Sequence, residues 1–262
     1  MKLHDFRKEL VKLNENEIKI DFEYNNFVFF RRLLGLYKVN VNEYSFQRAL
    51  RFTDIDGRLP SLKSAIRYPS ILIKYAFQKI TKKYTVNNPK PFLVVDAVHH
   101  IKKHIKPDFN VLEVGAGNST LWFLKNSCNV ISIEHNAAWG LDIVKRSKEI
   151  LDQTSAELKL EICCGQEAFI YMEEIDKKFD VILIDSMNEY TSRYESIKIL
   201  QKKLSKNGIL VLDNSDGVVN WKAVAEMHGV KSKIYTGYAY NSPFVCQTTI
   251  WNASDIISYK NT

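Results

Sequence analysis

Apolar and polar residues in the later part of the chain come in blocks rather than in strict alternation. Short apolar runs stand at NVLEV (110–114), NVISIE (129–134), LKLEICC (158–164), FDVILID (179–185) and GILVLD (208–213). Runs rich in Val, Ile and Leu without polar alternation read as strands of a parallel sheet covered on both faces. Helical stretches are predicted between them, around 119–126, 138–151, 166–175, 190–205 and 219–228. That alternation implies right-handed βαβ units and a doubly wound α/β sheet. The end differs. KSKIYT (231–236) and VCQTTIW (245–251) flank a loop with Gly237 and Pro243. They predict a closing hairpin, hence a mostly parallel seven-stranded sheet with an antiparallel last strand.

Before residue 90 the pattern is helical. Leu62, Ala65, Ile66, Ile73, Phe77 and Ile80 fall on one apolar face, with Lys63, Arg67, Lys74, Lys79, Lys82 and Lys83 at polar positions. Pro69 is expected to kink or start a helix there. VNNPKP (86–91) reads as a boundary, which separates a mainly helical segment (1–90) from an α/β domain (91–262). The helical segment suits a lid, a homodimer interface or, through basic residues 62–83, a peripheral membrane contact. Packing onto the main domain is the commoner fate of such a face. Beyond the boundary, Asp96 is placed to cap a helix to about His104, with Ala97, Val98, Ile101 and Ile105 inward.

Composition changes this picture little. With 45% hydrophobic and 26% charged residues, the 262-residue chain is an ordinary globular one. A formal charge of +7 suits acidic partners, though many lysines simply solvate helix faces. MKLHDFRKELVK has no apolar core of a secretory signal, and no run is long enough to span a bilayer. The four cysteines show no CxxC pair, and Cys163-Cys164 read as small hydrophobes on a buried strand. A cytoplasmic, reduced protein is expected.

In an open α/β sheet, ligands bind beyond the carboxyl ends of the strands, so the strand-end residues carry the chemistry. The first strand ends in Glu113-Val114-Gly115-Ala116-Gly117-Asn118-Ser119, where two glycines allow a tight turn before a helix N-terminus. The second ends in Glu134, an acid able to accept both hydroxyls of a ribose. The third ends near Gly165-Gln166, suited to an adenine edge. The fourth ends in Asp185-Ser186 and the fifth in Asp213-Asn214.

Taken together, residues 91–252 resemble class I S-adenosylmethionine-dependent methyltransferases. The E-x-G-x-G turn suits that family better than the dinucleotide G-x-G-x-x-G, whose third glycine position is Thr120 here. The resemblance implies S-adenosylmethionine as cofactor. Gly115, Ala116, Gly117 and Ser119 would lie on its methionyl side and Glu134 on its ribose, with Glu113 and Asn118 also among the cofactor-binding residues. His135 or Trp139 would line the adenosine, Gly165 and Gln166 its base, and Asp185 would close the site. Asp185, Asp213 and Asn214 are also similar to the Mg²⁺ ligands of catechol-type O-methyltransferases, hard oxygen donors that orient an acceptor hydroxyl. Where those enzymes carry a lysine base, this chain has Asn188. Tyr190, Arg193 and Tyr194 would bound a small-molecule acceptor.

Asp185 and His135 are the candidates for acid–base work, His135 because an imidazole can both give and take a proton. His100 and His104 stand one helical turn apart but lack a third ligand, so a solvated basic helix is expected. Trp122 and Phe123 read as core, and Glu167, Glu173 and Glu174 as a solvated face. Three other functions share parts of the pattern. A nicotinamide-dependent oxidoreductase shares the glycine turn and the acid. A nucleic-acid methyltransferase would suit the positive charge, but DSMN (185–188) replaces the Asn/Asp-Pro-Pro-aromatic loop of base-amino methylating enzymes. A non-catalytic binding protein on the same fold is the third.

Overall fold

The computed structural model describes residues 53–54, 57–81, 89–188, 190–216, 220–240 and 244–260, with side chains described outside 74–81. The expected elements of residues 1–52 and Lys82 and Lys83 lie outside those described, as do the side chains of Lys74, Phe77, Lys79 and Ile80. The helices are α1 (Leu62–Thr81), α2 (Val95–His104), α3 (Asn118–Lys125), α4 (Ala137–Asp152), α5 (Gly165–Glu174), α6 (Arg193–Leu200), α7 (Trp221–Glu226) and α8 (Ala253–Lys260). The strands are β1 (Asn110–Val114), β2 (Asn129–Glu134), β3 (Leu158–Ile162), β4 (Phe179–Ile184), β5 (Leu204–Asp213), β6 (Ser232–Tyr238) and β7 (Val245–Asn252).

All seven strands join one sheet in the order β3-β2-β1-β4-β5-β7-β6. β1 to β5 run parallel, and β7 runs antiparallel to both β5 and β6. The apolar runs explain this arrangement, because successive residues of one strand fill opposite layers. Val111, Val181, Leu183, Ile209 and Val211 face α2 and α3 through Val98, Ile101, Phe123 and Leu124. Their neighbours Leu112, Ile182, Ile184, Leu210 and Leu212 face α5, α6, α7 and α8 through Met172, Ile197, Met227 and Ile256. The strand order reverses between β1 and β4, the point where such sheets open a ligand crevice.

Several local expectations are corrected. The apolar face of α1 does not pack inward: Leu62, Ile66 and Ile73 are each at least 70% exposed. The helix instead seats Ser64, Tyr68 and Ile71, spaced by four and then three residues, against the sheet edge. There Ser64 Oγ accepts the Tyr238 N–H (3.0 Å), the Ser61 N–H reaches Thr236 O (3.0 Å), and Tyr68 stacks on Tyr238. Backbone and hydroxyl partners thus outrank greasy area at this edge. Pro69 lies inside α1, and the helix continues through it.

Asp96 does not cap α2; it sits in the first turn and binds Ser61 Oγ (2.8 Å) and Arg67 (2.9 Å). Cys163 and Cys164 leave β3, which ends at Ile162, and Cys164 is exposed at the N-cap of α5. The helix expected over 190–205 is shorter, because Ser192 caps it and β5 already starts at Leu204. His100 and His104 are half-buried rather than solvated: Tyr235 Oη lies 2.6 Å from His100 Nδ1, and Asp180 O 3.3 Å from His104 Nε2. Among the described residues no helix is long and apolar enough to cross a membrane.

Candidate functional site

The glycine turn after β1 fits against the end of β4. Gly115 has φ +101°, and a Cβ there would lie 2.7 Å from Asp185 O, so the position demands glycine both for conformation and for space. Its N–H donates to Ile133 O (2.8 Å) while the Asp185 N–H donates to Val114 O (2.9 Å), fixing the turn to β2 and β4. Gly117 is extended and starts α3, whose first-turn N–H groups at Asn118 and Ser119 have no intrahelical acceptor.

Glu113 does not present itself to a ligand as expected. It is fully buried, and its carboxylate accepts from Ser132 Oγ (2.9 Å) and from the Thr120 hydroxyl. Thr120 in turn accepts the Gly117 N–H (2.9 Å). The acid therefore organises the turn from behind. Burial, opposed by the hydroxyls of Ser119, Thr120 and Ser132, pushes its pKa up to about 7.

Glu134 is positioned in front of the turn and is 4% exposed. Its Oε2 accepts the Ala116 N–H (2.9 Å), and Oε1 accepts the Asn136 N–H (2.8 Å) and lies 2.9 Å from His135 Nδ1. A carboxylate has roughly four acceptor positions, so these three leave capacity for a further hydroxyl. The loops after β2, β3 and β4 meet beside it. His135 stacks on Tyr190 with centroids 4.0 Å apart, and Tyr190 O accepts the Gly165 N–H (2.6 Å). Trp139, half-exposed, donates from Nε1 to Ala116 O (2.7 Å) and lays its indole against the glycine turn. Gln166 is exposed at the start of α5.

Across the switch point, Arg193 is buried rather than open to an acceptor. Its guanidinium donates to Ser186 O (2.7 Å), to Asp213 O and to Asp185 Oδ1 (3.1 Å), tying the ends of β4 and β5 together. Asp213 Oδ1 accepts from Thr248 Oγ1 (2.7 Å). Burial raises the Asp185 pKa against the pull of Arg193; burial and then the Asp185 charge raise that of Asp213 well above the usual range. Asn188, where a lysine base was considered, donates to Asn220 Oδ1 (2.8 Å) and accepts the Arg193 N–H (3.0 Å). Asn220 donates to Asn214 O (2.7 Å). Outside this amide chain lies a cavity of about 340 Å³ lined by Asn188, Ser192, Tyr194, Glu195, Asn220 and Lys222. Of the three expected acceptor residues, only Tyr194 lines it.

Thr120 was noted from sequence only as a missing glycine, yet it is the link between Glu113 and the turn. Arg146 went unnoticed; it donates to Asn118 Oδ1 (2.9 Å) from α4. Asp54, from the far N-terminal side, accepts from Gln247 Nε2 (2.9 Å) next to the Ser215–Gln247–Thr249 hydroxyl and amide cluster. The only available signal was the polar QTT inside an otherwise buried strand.

An E-x-G-x-G turn, an acid at the end of β2 and an antiparallel β7 between β5 and β6 thus occur together. Residues 112–215 match a family model described as a methyltransferase domain. That stretch of the chain is thus similar to a methyltransferase domain. Its matched span runs from the middle of β1 to just past β5, so it contains every strand end that builds the crevice. The chain is also similar to three solved structures. An O-methyltransferase from Bacillus cereus in complex with SAH shares 12% identity, covering 71% of this chain and 90% of that one, with a TM-score of 0.47. A precorrin-6y C5,15-methyltransferase from Geobacter metallireducens shares 18%, covering 60% and 88%, with a TM-score of 0.47. A spermidine synthase from Thermotoga maritima shares 20%, covering 57% and 54%, with a TM-score of 0.40. No curated protein matches the sequence.

Proposed function

We propose that this protein transfers the methyl group of S-adenosylmethionine to a small-molecule acceptor, at a hydroxyl oxygen. The observation that carries the reading is Glu134 Oε2 bound to the Ala116 N–H, which fixes a ribose-accepting carboxylate against the glycine turn. The cofactor would supply an electrophilic sulfonium methyl; the chain's part is to bind, align and exclude water. The N–H groups of α3 and the Ala116–Gly117 backbone suit the methionyl end. The His135, Tyr190 and Gly165 surface suits the adenosine, with Trp139 covering the turn. Asp185 touches the glycine turn through its backbone and Arg193 through its side chain, and the cavity at Tyr194 is the candidate acceptor pocket. With His135 held by Glu134, Asp185 is the better placed of the two to receive the acceptor's proton.

Two features favour this reading over a nicotinamide enzyme: β7 enters antiparallel between β5 and β6, and Thr120 fills the third glycine position. The test is calorimetric titration of the full chain with S-adenosylhomocysteine and, in parallel, NADH. S-adenosylhomocysteine should bind and NADH should not. Glu134→Ala should weaken binding about tenfold or more, the worth of charge-assisted hydrogen bonds. Binding of NADH alone would overturn the reading. A methyl-transfer screen over hydroxylated and amino small molecules, with RNA included, then identifies the acceptor.

A further inference from the structure

The resemblance implies a divalent cation held by Asp185, Asp213 and Asn214, and the residues present do not fit one. Asp185 Oδ1 already receives Arg193 Nη2 (3.1 Å). Asp213 Oδ1 is turned to the Thr248 hydroxyl, which itself accepts the Val94 N–H (3.2 Å). Asn214 takes a left-handed backbone, φ +46°, and its carbonyl accepts from Asn220. Among the described residues no group of three or more His, Cys, Asp or Glu side chains is placed to hold a metal ion. Magnesium needs several oxygens in a near-octahedral shell at about 2.0–2.1 Å. Here one oxygen of each acid is turned to a different partner, and a cation of fixed charge lies within hydrogen-bond distance of the first.

We propose that Arg193 is the resident cation of this site, in the place where related enzymes use a divalent metal. Its side chain leaves the first residue of α6 and reaches back under the crevice, where three N–H groups meet Ser186 O, Asp213 O and Asp185 Oδ1. The three acceptors come from the two strand ends that frame the acceptor side, so one planar fork sets their spacing. Guanidinium keeps its charge at any working pH and cannot be removed by a chelator. An acceptor oxygen beside Asp185 therefore meets a carboxylate whose charge is offset by a guanidinium of the chain itself. The acceptor class this suits has a single hydroxyl or anionic oxygen at the reacting end, since chelation by vicinal oxygens has no metal to act on. The identity of the neighbouring ligand rests on the methyltransferase reading; the cation assignment does not.

The test uses the full-length protein and Mn²⁺ as a paramagnetic stand-in for Mg²⁺, titrated by electron paramagnetic resonance. Wild type should show no saturable Mn²⁺ binding up to about 1 mM, the weak end of protein divalent sites. S-adenosylhomocysteine affinity should change less than about twofold on adding EDTA. Arg193→Met, which removes the charge and keeps much of the length, should free Asp185 and gain saturable Mn²⁺ binding. Saturable binding by wild type that disappears in Asp185→Asn overturns the proposal, and needs no Arg193 variant to fold. If Arg193→Met does not fold, Arg193→Lys keeps a charge at the site and should remain silent to Mn²⁺; binding by that variant also counts against the assignment. Failure of S-adenosylhomocysteine to bind strikes the proposed function instead, leaving the metal result readable by itself.

Discussion

The Thr120 hydroxyl joins the buried Glu113 carboxylate to the Gly117 N–H, so one side chain connects a strand interior to the surface of the glycine turn. Replacing it with valine keeps the shape and removes both bonds. Thr120→Val should cost about 1–3 kcal/mol, the penalty for stranding buried polar groups. Thermal denaturation measures that loss. Calorimetry should show S-adenosylhomocysteine affinity falling with it, because Gly117 loses its tether.

Glu113 makes stability depend on pH. Its folded-state pKa, about 7, lies above the ordinary 4.5. The folded chain therefore holds a proton that the unfolded chain releases, and its contribution is complete below the unfolded value. As pH rises through about 4.5 to 7, release of this proton by the unfolded chain alone removes up to about 3 kcal/mol of stability. Glu113→Gln stays neutral throughout. Melting curves of the two proteins should converge in acid and diverge toward neutrality, with wild type falling faster; parallel curves would contradict the assignment.

Gly115 and Gly165 offer a controlled comparison. Both have positive φ, +101° and +54°, but an added Cβ meets Asp185 O at 2.7 Å in the first and nothing within 4 Å in the second. Gly165→Ala should cost about 1 kcal/mol, the backbone term alone. Gly115→Ala should cost about 3 kcal/mol, with steric displacement of the β4 end added. Only the latter should abolish S-adenosylhomocysteine binding at concentrations that saturate wild type.

Trp139 reports on the same turn. Trp139→Phe keeps an aromatic face and removes the Nε1 bond to Ala116 O, worth about 1 kcal/mol. S-adenosylhomocysteine should bind roughly fivefold more weakly. Because the ring is half-exposed and only this bond is lost, the melting temperature should fall by no more than about 4 °C. Wild-type tryptophan emission should change on ligand addition, and the Phe variant should lose most of that change.

Strand positions were legible in the sequence because burial on both faces of a parallel sheet forces unbroken Val, Ile and Leu runs. The glycine turn and Glu134 were legible for a related reason: only particular residue types satisfy a left-handed turn and a strand-end carboxylate. Arg193 was not, since an arginine one residue past a serine cap looks the same whether it points to solvent or to three carbonyl and carboxylate oxygens. Glu113 was misread in its direction, because neighbouring strand residues face opposite layers and its polarity suggested the ligand side. The inverted face of α1 shows the same limit. Leu62, Ile66 and Ile73 form the better stripe, yet hydrogen bonds through Ser61 and Ser64 at an open sheet edge decide which side turns inward.

Strand β7 lies between β5 and β6 although it follows both in the chain. A ribosome-bound chain that has not yet reached Val245 has all five parallel strands, but β6 has no strand to pair with and β5 keeps a bare edge. The Thr248 hydroxyl that binds Asp213 Oδ1 arrives with that same segment. The partner of Asp213 and protection of the sheet are thus acquired in one event, after the five parallel strands have been made. A chaperone that shields unpaired strand edges would act on this protein in that interval.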